Sequence, residues 1–136
     1  MTRQASRPLR RREDLDDISI AGFENPENAT YVRWKHAGHP VYKQYAGVVH
    51  AVVLASQDGV VIVEPYQKHP NNAVIYKADG TPRIQLINPL SAKGSLCFMY
   101  PYYVGAELTL AAGFPDIQYA CVFDESGRCL RTYEMK

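Results

Sequence analysis

From Thr30 onward, the sequence is a succession of short apolar runs separated by Gly, Pro, Asn or Asp. The runs are rich in Val, Ile, Tyr and Thr, the residues that favour extended strands. No long segment combines a 3.6-residue apolar period with helix caps. The pattern therefore predicts an all-β fold, an antiparallel meander of consecutive hairpins that forms a β-sandwich or a partly open barrel.

Glycine marks the turns of three of the expected hairpins. Because Gly supplies the positive φ that a tight loop needs, we predict a two-residue loop in each. The last hairpin then places Phe123 opposite Leu130 and Glu125 opposite Arg128, an apolar pair and a charge pair. The three turn dipeptides are Asp58-Gly59, Asp79-Gly80 and Ser126-Gly127.

The middle hairpin, VIYKADGTPRIQL, has two different faces in this register. Ile75 lies opposite Ile84 on an apolar face, and Tyr76 lies opposite Arg83 on an amphipathic face that we expect to point outward. A three-residue loop with a bulge would place Ile75 opposite Arg83, so the two-residue loop is preferred. The outward face is either a candidate for partner contact or an ordinary solvated sheet face.

The first hairpin differs because its two strands, VVHAVVLA and VVIVE, are almost continuously apolar. Strands with this pattern are covered on both faces rather than on one. We therefore expect this hairpin at the centre of the fold or beneath an interface.

Length, charge and cysteine content exclude several classes. The chain has 136 residues, and we expect a flexible or partly ordered N-terminal segment over 1–28 and one antiparallel β domain over 29–136. The formal net charge of +1 makes nucleic acid an unlikely partner, since its capture needs a concentrated basic surface. Three cysteines without CxxC spacing, no secretion signal and no apolar run of membrane length predict a cytoplasmic protein without membrane contact.

The motifs that carry catalysis or metal binding are missing from the pattern. His36 and His39 have HxxH spacing, but residues three apart on a strand point to opposite faces and could chelate only in a loop. Glu64 and Glu107 each interrupt an apolar run, as a strand-end charge or an edge charge would. The sequence therefore predicts a protein that is not an enzyme and has no metal or cofactor.

Aromatic residues supply the remaining candidates. The run CFMYPYYVG crowds Tyr100, Tyr102 and Tyr103 around a proline. These side chains can cap the core of a sandwich, or they can form a surface of the kind that protein interfaces favour. The runs TYVRWKH and PVYKQY could likewise form a stacking surface, although alternating Tyr and Lys is also ordinary β-strand composition.

The segment NAVIYKADGTPRIQLINP resembles a pattern of small immunity proteins encoded beside bacterial polymorphic toxins of the Rhs and contact-dependent type. The closing segment QYACVFDESGRCLRTYE has the same character, a hairpin near the C-terminus. Immunity proteins of this kind act by occupying the active-site cleft of a toxin, so the resemblance implies a protein partner. The matching positions are Tyr76, Asp79, Gly80, Arg83, Ile84, Leu86 and Pro89.

We therefore expect an immunity protein that binds and sterically inhibits a cognate toxin domain. The candidate partner-binding residues are Tyr76, Arg83, Tyr100, Tyr102 and Tyr103. The alternative is a β-sandwich module that binds a carbohydrate or another small ligand without catalysis. In that case, the tyrosines of the CFMYPYYVG run would stack on sugar rings.

Overall fold

A computed structural model describes residues 20–65, 70–95 and 97–135 of the chain. This part is nearly all β, with eleven strands and one short 3-10 helix, Ser91–Lys93. The strands form three antiparallel sheets, numbered I to III in chain order. Sheet I contains β1 (Ala21–Glu24), β2 (Tyr31–His36) and β3 (His39–Gln44). Sheet II contains β4 (His50–Val53), β5 (Gly59–Val63), β6 (Ala73–Lys77) and β7 (Pro82–Leu86). Sheet III contains β8 (Cys97–Val104), β9 (Glu107–Gly113), β10 (Gln118–Phe123) and β11 (Cys129–Glu134).

Every sheet is a meander, because neighbouring strands in space are also neighbours in sequence. The predicted all-β meander of hairpins is confirmed. Each sheet has two free edges within the described residues, so the strands form open layers rather than a closed barrel. No helix in this part of the chain is long and apolar enough to cross a membrane.

Sheet II is the middle layer of a three-layer stack. One of its faces packs against sheet III in a core of buried residues that includes Ile75, Leu86 and Phe98. The opposite face packs against sheet I, around Trp34 and Ile62. All five residues of β5 are buried, while β4 lies at the edge of the sheet and is half-buried. The prediction of a hairpin covered on both faces is therefore confirmed for β5.

The sheets converge on the side of their first strands. Cα atoms of β8 approach those of β4 and β5 to within 8 Å, closer than the ~10 Å that separates sheets packed face to face. The buried side chain of Asn72 spans this junction, accepting a bond from the Phe98 N–H at 2.7 Å and donating to the Phe98 carbonyl at 2.9 Å. Asn25 joins β1 to the β4 region by bonds to the Val49 carbonyl and the Ala51 N–H.

On the opposite side of the stack, hairpin turns rest on the neighbouring sheet. The position that a Cβ of Gly80 would occupy lies 2.7 Å from a methyl of Val41 in β3. The same position at Gly127 lies 2.8 Å from the Cδ1 methyl of Ile84 in β7. A turn of sheet II thus packs on the last strand of sheet I, and a turn of sheet III packs on the last strand of sheet II in the same way.

The turn of the middle hairpin has three residues rather than the predicted two. The Lys77 N–H bonds the Thr81 carbonyl at 2.8 Å, and Gly80 takes φ +92°. A bulge then leaves Arg83 without a cross-strand partner, so that Tyr76 pairs with Pro82. Beyond the bulge, Ile75 pairs with Ile84 as predicted. The predicted Tyr76–Arg83 pair is wrong, because no residue pattern in the sequence marks the bulge that follows the three-residue turn.

The last hairpin has the same design. The Asp124 N–H bonds the Arg128 carbonyl, Gly127 takes φ +96°, and a bulge at the next pairs places Phe123 opposite Cys129. The predicted Phe123–Leu130 and Glu125–Arg128 pairs are therefore wrong. In both hairpins, a three-residue loop followed by one extra residue restores the strand register.

The first hairpin has a longer loop. The Leu54 N–H bonds the Gly59 carbonyl, which leaves a loop of residues 55–58. Gln57, not Gly59, takes the positive φ, so the predicted two-residue loop is wrong here as well. A two-residue loop with two positive φ angles does join β2 to β3, at Ala37 and Gly38.

The N-terminal segment assigned to 1–28 contains β1 at its C-terminal end. Its Arg-rich part, residues 1–19, lies outside the described residues.

Candidate functional site

The outer face of sheet III, which we call the tyrosine face, carries large side chains on its edge strands and small ones between them. Tyr100 and Tyr102 of β8 pair with Ala111 and Thr109 of β9. Tyr133 of β11 pairs with Ala120 of β10. Because residues 108, 110 and 112 point into the core, the alternating residues of β9 point outward. The tyrosine face comprises Met99, Tyr100, Tyr102, Val104, Thr109, Ala111, Ala120, Val122 and Tyr133.

The tyrosines cover the small residues beneath them. Thr109, Ala111 and Ala120 are 0% exposed although they point away from the core. A register shift between Phe98 and Tyr100 leaves Met99 unpaired, and its sulfur lies over Gly113. The face is therefore a packed layer of aromatic and thioether side chains on a four-stranded sheet.

The rings of this face contact one another and reach the edge of sheet II. The ring centroids of Tyr100 and Tyr102 are 5.8 Å apart at 41°, and His50 of β4 meets Tyr100 edge-on at 6.4 Å. Burial raises the pKa of the Tyr102 hydroxyl, and the adjacent hydroxyl of Tyr133 raises it further. A groove of about 310 Å³ lies beside Met99, lined also by His50 and Val48.

The tyrosine face has little net charge. The charged side chains that the strand register places on it, Glu107 of β9 and Arg131 of β11, form an ion pair. The Arg131 guanidinium holds the pKa of the Glu107 carboxyl below its ordinary value, so the pair stays ionised at neutral pH. Exposed apolar groups remain at the margins, with Val104 at 50% and Tyr133 at 43%.

The opposite end of the stack is the outer face of sheet I, and it is charged. Arg33 pairs with Glu24, and Lys35 is exposed beside them. The rings of Tyr31 and Tyr42 stack at 5.7 Å and 22°. This face holds an open groove of about 420 Å³. The runs TYVRWKH and PVYKQY are thus paired strands, with a polar outer face that differs from the tyrosine face.

The five predicted contact residues do not lie together. Tyr100 and Tyr102 are on the tyrosine face. Tyr103 is on the other side of β8, where its hydroxyl donates to Glu125 at 2.6 Å and accepts from the Ala55 N–H.

The two predicted contact residues of the middle hairpin lie elsewhere. Tyr76 is 9% exposed, buried between sheets I and II rather than outward. Its hydroxyl donates to Glu64 at 3.0 Å, and the Lys43 ammonium lies 4.2 Å from its ring centroid. Arg83 occupies the bulge and pairs with Asp58 at 3.4 Å. The outward orientation is therefore contradicted for Tyr76.

Sequence reasoning singled out the CFMYPYYVG run, which contains Met99, but it missed Tyr133 as a member of the face. Met99 stands within a crowded aromatic run, and its position depends on a bulge that the sequence does not announce. Tyr133 lies in an exposed strand, and only the pairing of β10 with β11 brings it beside Tyr102.

The residues considered for metal binding or catalysis form no such site among those that the structure describes. His36 and His39 face each other across the two-residue turn, but no group of three or more His, Cys, Asp or Glu in this part of the chain is arranged to hold a metal. Glu64 and Glu107 have separate partners, Tyr76 and Arg131. His69 lies outside the described residues.

Burial disfavours the thiolate form of the cysteines. Cys97 and Cys121 are buried and Cys129 is half-buried. Burial raises the pKa of all three thiols, to about 12 for Cys121. Since the thiolate is the nucleophile, burial lowers the nucleophilicity of these thiols.

The tyrosine face of sheet III is equivalent, by strand position, to the face of sheet II that packs against sheet III. Counted from the turn glycines, Gly80 and Gly127, the strand positions of the two sheets correspond. The matching positions are Ala73 with Ala120, Ile75 with Val122, Leu86 with Tyr133 and Val61 with Thr109. In sheet II these residues are buried by sheet III. In sheet III the equivalent residues lie on the outer face, where no further sheet covers them among the described residues.

No protein-family model matches the chain, and neither does any curated protein or solved structure with which it was compared.

Proposed function

We propose that this chain is an immunity protein that binds a cognate bacterial toxin domain through the tyrosine face and blocks the toxin sterically. The observation that carries the proposal is the difference between the two ends of the stack. The outer face of sheet I bears Arg33, Lys35 and Glu24, as a solvated terminal layer does. The tyrosine face is aromatic and has little net charge.

The composition of the tyrosine face favours a protein partner. Tyr, Met and Arg are the side chains that protein interfaces enrich, and Tyr is frequent among energetic hot spots. The tyrosines are held by contacts with one another and with the sheet beneath, so binding orders few side chains. Steric inhibition needs only such a preformed surface and no catalytic group, so we propose a non-enzymatic role in the cytoplasm.

Co-expression tests the proposal. The probe is the toxin domain encoded beside this gene, expressed under a tight promoter with and without this chain. We expect growth to be rescued and a complex to survive gel filtration. Persistent toxicity together with separate elution of the two proteins would rule out the immunity role.

Matched variants locate the contact surface. Tyr133→Ala and Val104→Lys alter exposed side chains at the margin of the tyrosine face, and Tyr42→Ala alters an even more exposed tyrosine at the other end of the stack. We expect the first two to weaken the complex about ten-fold or more and Tyr42→Ala to leave it unchanged. Equal effects of Tyr42→Ala and Tyr133→Ala would remove the tyrosine face from the proposal.

A carbohydrate-binding role is the second candidate, and one feature of the tyrosine face favours it. The adjacent rings of Tyr100 and Tyr102 offer apolar surface flanked by hydroxyls, a combination that suits sugar rings. Tyr103 would take no part, because its hydroxyl is engaged with Glu125. Saturable binding on a glycan array that disappears in Tyr102→Ala supports this role, and an array without signal excludes it.

A further inference from the structure

A slot opens between the segment that follows β7 and the β10–β11 side of sheet III. Its volume is about 290 Å³, just below the roughly 300–1,000 Å³ that small-ligand sites occupy. The lining residues come from the segment after β7, the β9–β10 turn and the two following strands. They are Leu90, Lys93, Phe114, Ile117, Tyr119 and Thr132.

Two local structures lie on this side of the stack. At one end, the turn at Gly127 packs on Ile84. At the other end lies the short 3-10 helix Ser91–Lys93, with Leu90 buried in the core beside it. The slot remains between this helix and the β9–β10 turn.

The walls of the slot are apolar and continuous with the core. The rings of Phe114 and Tyr119 lie 5.3 Å apart at 59°, and both pack against the core cluster that contains Leu90. A flat hydrophobic guest would contact this ring pair on one side and Leu90 on the other. Such a shape suits an aromatic ring system better than a flexible polar ligand.

The positive charge of Lys93 at the rim of the slot indicates which chemical group one end of a bound ligand would carry. Lys93 is exposed, is the charged residue among the lining residues, and forms no ion pair with any other residue that the structure describes. Glu134 lies opposite Tyr119 across the β10–β11 ladder and disfavours an anion on that side. An acidic group on the guest would therefore point toward Lys93, on the side of the 3-10 helix.

We propose that this slot binds a small aromatic carboxylate, with the ring system between Leu90 and the Phe114–Tyr119 pair and the carboxylate beside the Lys93 ammonium. This site is independent of the proposed immunity role, because sheet III separates the two surfaces. Thr132 lines the slot, while its neighbour Tyr133 lies on the opposite face of β11.

The test is a titration of the ¹⁵N-labelled chain with 2-naphthoate, followed by amide chemical shifts. 2-Naphthamide, which has the same rings without the charge, serves as the matched ligand. Three variants are compared with the parent chain. Lys93→Gln removes the rim charge, Ile117→Trp fills the slot, and Lys35→Gln removes an exposed lysine on sheet I as the control.

We expect saturable shifts at the lining residues, lost in Ile117→Trp and unchanged in Lys35→Gln. Lys93→Gln should weaken 2-naphthoate about three- to five-fold, the effect of a half-exposed ion pair, and leave 2-naphthamide unaffected. Shifts elsewhere, or none up to the solubility limit, would overturn the site. Equal binding of the two ligands to the parent chain would overturn the assignment of a carboxylate.

Discussion

At the scale of single residues, buried asparagines act as substitutes for backbone. Asn72 is 1% exposed and gives Phe98 both of the bonds that a neighbouring strand would give. The same side chain also donates to the Glu64 carbonyl at 2.9 Å. One amide thus joins the loop between β5 and β6 to the first strand of sheet III, where no regular ladder links the two sheets.

Replacing Asn72 by alanine should leave the Phe98 N–H and carbonyl buried without partners. We expect Asn72→Ala to lower the free energy of unfolding by about 2–4 kcal/mol, measured by urea denaturation. Gln85→Ala is the control, because Gln85 is exposed and its amide donates to a single carbonyl, that of Asn71. A loss in Asn72→Ala no greater than in the control would show that the junction does not depend on this amide.

Glu125 makes stability depend on pH. Burial raises the pKa of this carboxyl, but bonds from the Tyr103 hydroxyl and from the backbone at Ala55 and Ser56 outweigh that effect, so the pKa is lowered overall. A lowered folded-state pKa stabilises the fold above the unfolded value of about 4.3, and this contribution is lost as pH falls through the folded pKa.

Glu125→Gln should therefore be less stable than the parent at pH 7, and the difference should shrink as pH falls below about 4.3. Urea unfolding of both proteins at pH 7 and pH 3 measures it. Because the introduced amide would keep an oxygen that can accept from Tyr103, the variant retains the geometry while losing the charge. A difference that stays constant between the two pH values would contradict the assignment.

At the scale of elements, the hairpin turns both reverse the chain and hold neighbouring sheets. Gly80 and Gly38 both take positive φ, at +92° and +78°. Only at Gly80 would a Cβ meet the adjacent sheet, 2.7 Å from Val41, while nothing lies within 4 Å of the same position at Gly38. Comparing substitutions at the two glycines therefore distinguishes the cost of backbone strain from the cost of disturbed packing between sheets.

Gly80→Ala should therefore be less stable than Gly38→Ala, by about 1–2 kcal/mol beyond the strain that the two variants share. Thermal unfolding followed by circular dichroism compares them directly. Equal melting temperatures would mean that the turn does not rest on sheet I.

The hairpins also show what sequence can and cannot predict about an element. The Asp79-Gly80 signal locates the turn, and matching apolar residues pair Ile75 with Ile84 correctly. The bulge at Arg83 is not predicted. An extra residue in β7 does not change the alternation of apolar and polar residues in β6, so the sequence gives no sign of it. Its consequence is the loss of the expected pair between Tyr76 and Arg83.

At the scale of the whole molecule, burial on both faces should set the pattern of local stability. The amides of β5 and β6 lie beneath two other sheets, while β11 is an exposed edge strand. We expect hydrogen exchange in β5 and β6 to require global unfolding and to be the slowest in the chain. Exchange in β11 as slow as in β5 would contradict the layered order of stability.

The layers explain which parts of the candidate site could be predicted. Continuous apolar runs identify a strand covered twice, and β5 follows that rule. The outward placement expected for Tyr76 is wrong because one hairpin contains no information about a third sheet above it. Tyr100 and Tyr102 can be identified as candidates from the crowded aromatic run. Their proximity to Tyr133 depends on the pairing of strands more than twenty residues away in sequence.

The layered order has a consequence for synthesis on the ribosome. The chain emerges from its N-terminus, so sheet I is available to cover one face of sheet II as soon as that sheet forms. The other face, with Ile75 and Leu86, stays in water until the last strands of sheet III have left the exit tunnel. During that interval the nascent chain presents a long apolar surface, so we expect it to bind ribosome-associated chaperones and to be sensitive to truncation within sheet III.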